Sequence, residues 1–296
     1  MSLHLGLDLG GTNLKWAIVE RGSAAHLVKT GSVPTDTHDG EQSVLHQMMG
    51  VAAGMVGEHG GITSVGVGMP GVLDPDRGVS RFLPNIPGHW DGLPVADRIE
   101  KATRVPVRLI NDARAFALAE HGQGAGRGAT SMLGITLGTG VGGGLVLDGR
   151  LYLGHAGTAG EFGHMTILPE GPLCNCGNRG CLEALTKADA IASACGQSTV
   201  EESVAAARAG DLRALRGIHD AGRYLGIGVS NVIVLLSVDR VVLGGGVAAL
   251  GEMLLQPIRE ELAVRVHVAD VGRIRVVCGD LGIWAGAIGA ALHGSA

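Results

Sequence analysis

LGLDLGGTNLKWAIVE (Leu5–Glu20) and LGITLGTGVGGGLVLD (Leu133–Asp148) are two copies of one pattern. In each, an apolar run alternates like a strand, a glycine turn follows and a second apolar run returns, so each reads as a glycine-tipped hairpin. Leu5 aligns with Leu133, Gly6 with Gly134, Leu9 with Leu137 and Gly10 with Gly138. A hairpin written twice implies two duplicated α/β halves. Its turns, Gly10–Gly11–Thr12 and Gly138–Thr139–Gly140, can present backbone N–H groups to phosphate oxygens with no side chain in the way. Asp8, Thr12 and Lys15 surround the first turn. A carboxylate there would repel phosphate unless a cation intervenes, so Asp8 implies Mg²⁺. The plainer alternative is a pair of solvent-exposed hairpins, which the duplication and the embedded Asp8 argue against.

Outward from the hairpins, Glu41–Glu58 has helical spacing, and SVGVGMPG (Ser64–Gly71) reads as a buried strand entering a glycine loop. VPVRLIND (Val105–Asp112) is another strand, and Asp112 opens a helix through Glu120. Leu182 to about Leu236 is mostly helical. DRVVL (Asp239–Leu243) is a strand, Gly244–Gly246 a loop, Val247–Leu262 a helix, RIRVVCGD a strand and Leu281–Leu292 an apolar helix. No Pro- or Ser-rich linker divides the halves, so the boundary near Asp112 reads as a hinge in a cleft, where ligands bind. The expected domains are a small one of residues 1–112 with 283–296, and a large one of residues 113–282 that carries the cysteine cluster.

Composition narrows the function. A chain of 296 residues with 46% apolar and 17% charged residues is globular and long enough for two domains. Aromatic residues at 3% and a net charge of −5 leave neither stacking rings nor a basic excess, which argues against nucleic acid as a partner. The N-terminus lacks a basic leader, and the uncharged run between Arg127 and Asp148 holds seven glycines, a poor membrane span. A cytoplasmic protein is expected. Fifty-one glycines exceed twice the usual share of about 7% and suggest a backbone that turns tightly or approaches a ligand. Of five cysteines, three fall within Cys174–Cys181, a metal-site spacing rather than a disulfide framework. Cys174, Cys176 and Cys181 can give three thiolates to one tetrahedral zinc.

The pattern GxGxxG, or its Ala-ending form, occurs at Gly66, Gly138 and Gly244. Only the last lies between a strand and a helix, as a dinucleotide turn should, so an NAD-dependent oxidoreductase is a minority reading that leaves the hairpins unexplained. Asp112, at a strand-to-helix junction after Asn111, reads on its residues alone as a helix N-cap.

DLGGTNLK (Asp8–Lys15), LGTGVGGG (Leu137–Gly144), AGEFGH (Ala159–His164) and CNCGNRGCLE (Cys174–Glu183) together resemble the ROK sugar kinases of the actin-like, hexokinase-like ATPase superfamily. The resemblance spans nearly the whole chain and implies two RNase H-like domains closing over ATP and a sugar. It implies that both hairpins hold phosphates, that Gly244, Gly245 and Gly246 cradle adenosine, and that His164 is the fourth ligand of a structural zinc, His155 being the spare. It turns Asp112 into the catalytic base, with Asn111 as its sugar-binding neighbour. Glu161, His164 and Glu183 would bind ring hydroxyls, Asn85 hydroxyls on the far side of the ring, and Gly68 would add a backbone contact. The family also holds transcriptional repressors, which carry an extra N-terminal DNA-reading domain; here the first strand begins at Leu3. The implied reaction is ATP-dependent phosphorylation of a hexose at its 6-hydroxyl. Glucose comes first, an N-acetylhexosamine (GlcNAc or ManNAc) is the alternative substrate, and polyphosphate is the alternative donor. A homodimer is implied by the family.

Overall fold

The computed structural model describes residues 2–22, 25–83 and 86–295, so Asn85 lies outside the described residues. In chain order the elements run β1 (Ser2–Leu9), β2 (Asn13–Arg21), β3 (Ala25–Pro34), α1 (Gly40–Glu58), β4 (Ile62–Met69), β5 (Val72–Asp74), β6 (Val79–Phe82), α2 (Val95–Thr103), β7 (Val107–Asn111) and α3 (Asp112–Gln123). They continue as β8 (Met132–Leu137), β9 (Val141–Leu147), β10 (Arg150–Tyr152), α4 (Leu182–Thr186), α5 (Ala188–Cys195), α6 (Val200–Arg208), α7 (Leu212–Leu236), β11 (Arg240–Gly244), α8 (Glu252–Arg265), β12 (Arg275–Cys278) and α9 (Ala285–Gly294). No helix among the described residues is long and apolar enough to cross a membrane.

The chain forms two compact units: Met1–Gly124 with Leu153–Ala159 and Leu281–Ala296, and Ala125–Tyr152 with Gly160–Asp280. The first unit thus runs past Asp112 and takes in α3. Its sheet has the order β3-β2-β1-β4-β7, and the second unit's sheet the order β10-β9-β8-β11-β12. In both, three antiparallel strands lead into three parallel ones through a shared strand, β1 or β8. One topology is therefore built twice, as the repeated hairpin implied. Each unit has its own apolar core, with Leu5, Leu7, Val67 and Leu109 in the first and Ile135, Leu137, Leu225 and Val241 in the second.

Among the described residues, seventeen glycines take positive φ, as tight turns require, and others serve close packing, which the composition did not anticipate. Helix α9 lies so close to the first sheet that a Cβ on Gly6 would stand 1.8 Å from the Ala287 carbonyl oxygen, and one on Gly66 1.7 Å from that of Ala290. A Cβ on Gly289 would meet the Ala115 carbonyl oxygen at 1.8 Å, which is why α3 belongs with this unit. The strands β3, β5 and β6 and the helix α2 carry no signal that the local pattern revealed. The expected helix Val247–Leu262 is divided: a 3₁₀ turn spans Gly246–Leu250, Gly251 takes φ +56°, and α8 follows.

Two histidines make this first unit acid-sensitive. His4 is 6% exposed, with Nδ1 2.8 Å from Ser64 Oγ and Nε2 2.8 Å from Ser2 Oγ. Burial, then the charge of Arg21, lowers its pKa from 6.5; burial, then Arg108, does the same for His293. Both rings therefore take up a proton less readily in the fold than in the unfolded chain. The stability at stake is whole above pH 6.5 and declines as pH falls below it, through the lowered folded values. Denaturant midpoints measured from pH 7.5 to 5 should fall, and His4→Gln should flatten the slope.

Candidate functional site

The C-terminal ends of three parallel strands bring the first unit's expected site residues to one sheet edge. Asp8, next to last in β1, pairs with Gly68 of β4, and Met69 pairs with Asn111 at the end of β7. In open α/β sheets this is the edge at which ligands bind. The hairpin closes with Leu9 opposite Leu14, and the Gly10 N–H donates to the Asn13 carbonyl at 3.0 Å. Thr35 steadies the turn: its hydroxyl donates to the Gly10 carbonyl at 2.7 Å and its N–H to that of Thr12 at 2.9 Å. Gly11 and Thr12 remain exposed at the tip.

Asp8 is 13% exposed, and Lys15 reaches its Oδ2 at 3.5 Å. Burial pushes this carboxyl up and Lys15 pulls it only part of the way back. A divalent cation would favour the charged form more strongly, so this donor fits Mg²⁺. A Cβ on Gly286 would come within 2.6 Å of the Asp8 carboxylate, so α9 leaves room for Asp8 only because its second residue has no side chain.

At the β7–α3 junction the cap is Asn111, not Asp112. The Asn111 backbone is extended, and its Oδ1 accepts from Ala113 N at 3.1 Å and Arg114 N at 3.3 Å. Its amide Nδ2 donates to the Gly71 carbonyl at 3.2 Å, which leaves one N–H of that amide for a ligand. Asp112 is the first helical residue, with Oδ1 accepting its neighbour's Ala113 N–H at 2.8 Å. A carboxylate in the first turn of a helix is favoured by the macrodipole.

In the second unit the turn closes through Gly138 N–H to the Gly140 carbonyl at 2.9 Å. The Gly138 carbonyl in turn accepts from Ala188 N at 2.8 Å. Gly244 pairs with Thr136 on the neighbouring parallel strand, and Gly245, at φ +83°, has its Cβ position only 2.2 Å from the Leu137 carbonyl oxygen. The third glycine motif is thus a neighbour of the second turn, and it leads into a 3₁₀ turn rather than a dinucleotide helix.

His164, Cys174, Cys176 and Cys181 converge, with one ligand atom from each lying within 4.8 Å of all the others. Cys174 Sγ stands 3.8 Å from His164 Nδ1, and Cys176 Sγ 3.7 Å from Cys181 Sγ. Two sulfurs at the usual Zn–S length of about 2.3 Å and tetrahedral angles stand about 3.8 Å apart, so the cluster fits zinc. Burial pushes the Cys174 thiol up to about 12, so a cation is what would keep this sulfur as thiolate. Glu161 precedes the 3₁₀ turn Phe162–His164 that carries the histidine, and Glu183 follows Cys181 by two residues on α4. Glu183 Oε2 accepts the Val141 N–H at 2.9 Å, a contact to the second turn that no local pattern announced.

The family model described as "ROK family" matches residues 4–293. A glucokinase of Halalkalibacterium halodurans is 35% identical, over 97% of this chain and 93% of its own. The crystal structure of a ROK hexokinase from Thermus thermophilus superposes with a TM-score of 0.85 at 39% identity, covering 99% of this chain and 98% of that one. A ROK family glucokinase from Streptomyces griseus, solved with glucose and AMPPNP, gives a TM-score of 0.84 at 29% identity, covering 99% of both chains. With the doubled β-hairpin fold and a family match over nearly its whole length, this chain belongs to the ROK family and has the two-domain actin-like ATPase fold.

Proposed function

We propose that this protein is a sugar kinase that transfers the γ-phosphoryl group of ATP to the 6-hydroxyl of glucose. The observation that carries the reading is the sheet edge at which Asp8, Gly68, Asn111 and Asp112 meet. Glucokinase relatives matched over 93% and 95% of their own length support the choice of sugar.

Asp112 accepts the 6-hydroxyl proton as the oxygen attacks the γ-phosphorus in line. The O6–P bond forms, the bond to the β-phosphate oxygen breaks, and ADP leaves. Asn111 offers its remaining amide N–H, and Gly68 its backbone, to the same sugar. The family resemblance assigns far-side hydroxyls to Asn85, while Glu161, His164 and Glu183 hold ring hydroxyls. His164 can serve twice, giving Nδ1 to the metal and Nε2 to a hydroxyl. The Gly10 and Gly138 N–H groups close their own turns, so Gly11 and Thr12 in the first turn and Thr139 and Gly140 in the second offer the N–H groups that receive phosphate oxygens, and Gly244–Gly246 receives the adenosine. Asp8 would hold Mg²⁺ near the phosphates, where the cation would supply neutralising charge beside Lys15. His164, Cys174, Cys176 and Cys181 would hold zinc, which would serve there as a scaffold for the pocket and not as a reaction centre. The reading includes a cytoplasmic homodimer.

The test is ADP release across a panel of hexoses: glucose should lead, and absence of turnover with every aldohexose would overturn the assignment. Asp8→Ala should weaken use of Mg-nucleotide by roughly tenfold or more while sparing glucose affinity, read from separate KM values. Metal analysis of purified protein should find one zinc per chain, lost on substitution of Cys181.

A further inference from the structure

The second glycine turn is gripped by both arms of the cysteine–histidine cluster. One arm is the segment ending in His164. A Cβ on Gly163, next to that ligand, would lie 2.1 Å from the Val141 carbonyl oxygen, so the two backbones are in direct contact. The other arm leaves Cys181, which directly precedes α4, and carries Glu183 onto the turn. There Oε2 takes the Val141 N–H at 2.9 Å, while a Cβ on Gly140 would come within 2.7 Å of the same oxygen. Further along this arm, where α5 begins, Ala188 N holds the Gly138 carbonyl at 2.8 Å. The cluster end of both arms is tied down as well: Leu182 N donates to the Met165 carbonyl at 2.9 Å, and Glu183 Oε1 lies 3.7 Å from Cys174 Sγ.

We propose that Glu183 is a positioning residue for the nucleotide as well as a sugar contact: it transmits the geometry of the metal cluster to the turn Leu137–Val141, so that metal occupancy sets nucleotide affinity. The physical argument is one of preorganisation. N–H donors in a glycine-rich turn bind anions well only when their direction is fixed beforehand, and glycine supplies no stiffness of its own. In this turn the stiffness comes from a carboxylate oxygen and a backbone contact, both delivered by segments that the metal would cross-link. Partners of this kind, one step removed from a metal, commonly change the function of a site by 10- to 100-fold when lost. The inference rests on the reading of this turn as a phosphate site.

The test uses the full-length zinc-loaded protein, its Glu183→Ala and Glu183→Gln variants, and the metal-free Cys176→Ala variant, whose exposed side chain contributes little packing. The readouts are MgADP and glucose affinities by calorimetry and exchange of the Val141 amide hydrogen. Glu183→Ala and Cys176→Ala should each weaken MgADP binding roughly tenfold and speed Val141 exchange by a similar factor. Glu183→Gln, which keeps an acceptor oxygen, should restore most of the nucleotide affinity while still binding glucose weakly. Loss of glucose affinity alone in Glu183→Ala, or unchanged MgADP affinity in metal-free protein, would overturn the proposal. Should Glu183→Ala fail to fold, the Cys176 variant decides: weakened MgADP binding with faster Val141 exchange supports the proposal, and unchanged values of both overturn it. Failure of the unaltered protein to bind MgADP would instead reject the kinase reading, and Val141 exchange would still report whether Glu183 holds the turn.

Discussion

Asp112→Asn should lower kcat for glucose phosphorylation by about 10² to 10⁴, the contribution of a positioned general base, or about 3–5 kcal/mol of barrier. The substitution removes the charge of the side chain and keeps its size. Asn has nearly the shape of Asp, and its carbonyl oxygen can still accept the Ala113 N–H that Asp112 Oδ1 now takes at 2.8 Å. The helix keeps its cap, because Asn111 supplies it. What is lost is an oxygen able to carry away the proton of the 6-hydroxyl. Glucose affinity, MgADP affinity and the unfolding midpoint should therefore stay close to those of the parent, while turnover measured by ADP release collapses. If turnover persists at the parent rate in a folded variant that binds both ligands, Asp112 is not the base.

How far this site could be read beforehand depended on how local each part is in sequence. The hairpin turns and the three cysteines each fall within short stretches, and each forms locally, within its own unit, as its spacing implied. The N-cap expected at Asp112 falls one residue earlier because Asn is an equally good cap, and the extended backbone of Asn111 places it there. The contact between Glu183 and Val141 bridges distant stretches of chain and leaves no periodic trace. The strand β3 escaped notice because it lies at a sheet edge with most residues exposed and no clean alternation. It also carries Gly31, whose Cβ position falls 2.3 Å from the Trp16 ring, a constraint visible only once the two strands are paired.

Gly66→Ala should destabilise the first unit by about 3 kcal/mol or more, at the upper end of what overpacking costs. The added methyl would sit 1.7 Å from the Ala290 carbonyl oxygen, with Gly294 N at 3.1 Å. Both are backbone atoms, so no rotamer change can relieve the clash. Either α9 moves off the sheet or β4 bends, and both surrender contacts of the Ala-rich face of α9, where Ala287, Ile288, Ala290 and Ala291 are buried. At about 2–4 °C per kcal/mol, a melting transition followed by calorimetry should drop by roughly 6–12 °C. Gly54→Ala is the matched control. Gly54 is exposed in the interior of α1, and its Cβ would meet nothing within 4 Å, so the same change should stabilise by about 0.5–1 kcal/mol through helix propensity. Opposite signs for one chemical substitution would separate glycine kept for close approach from glycine that merely sits in a helix. If Gly66→Ala melts with the parent, α9 does not lie against β4 as closely as described, and the place that Gly286 makes for Asp8 on the same helix falls with it.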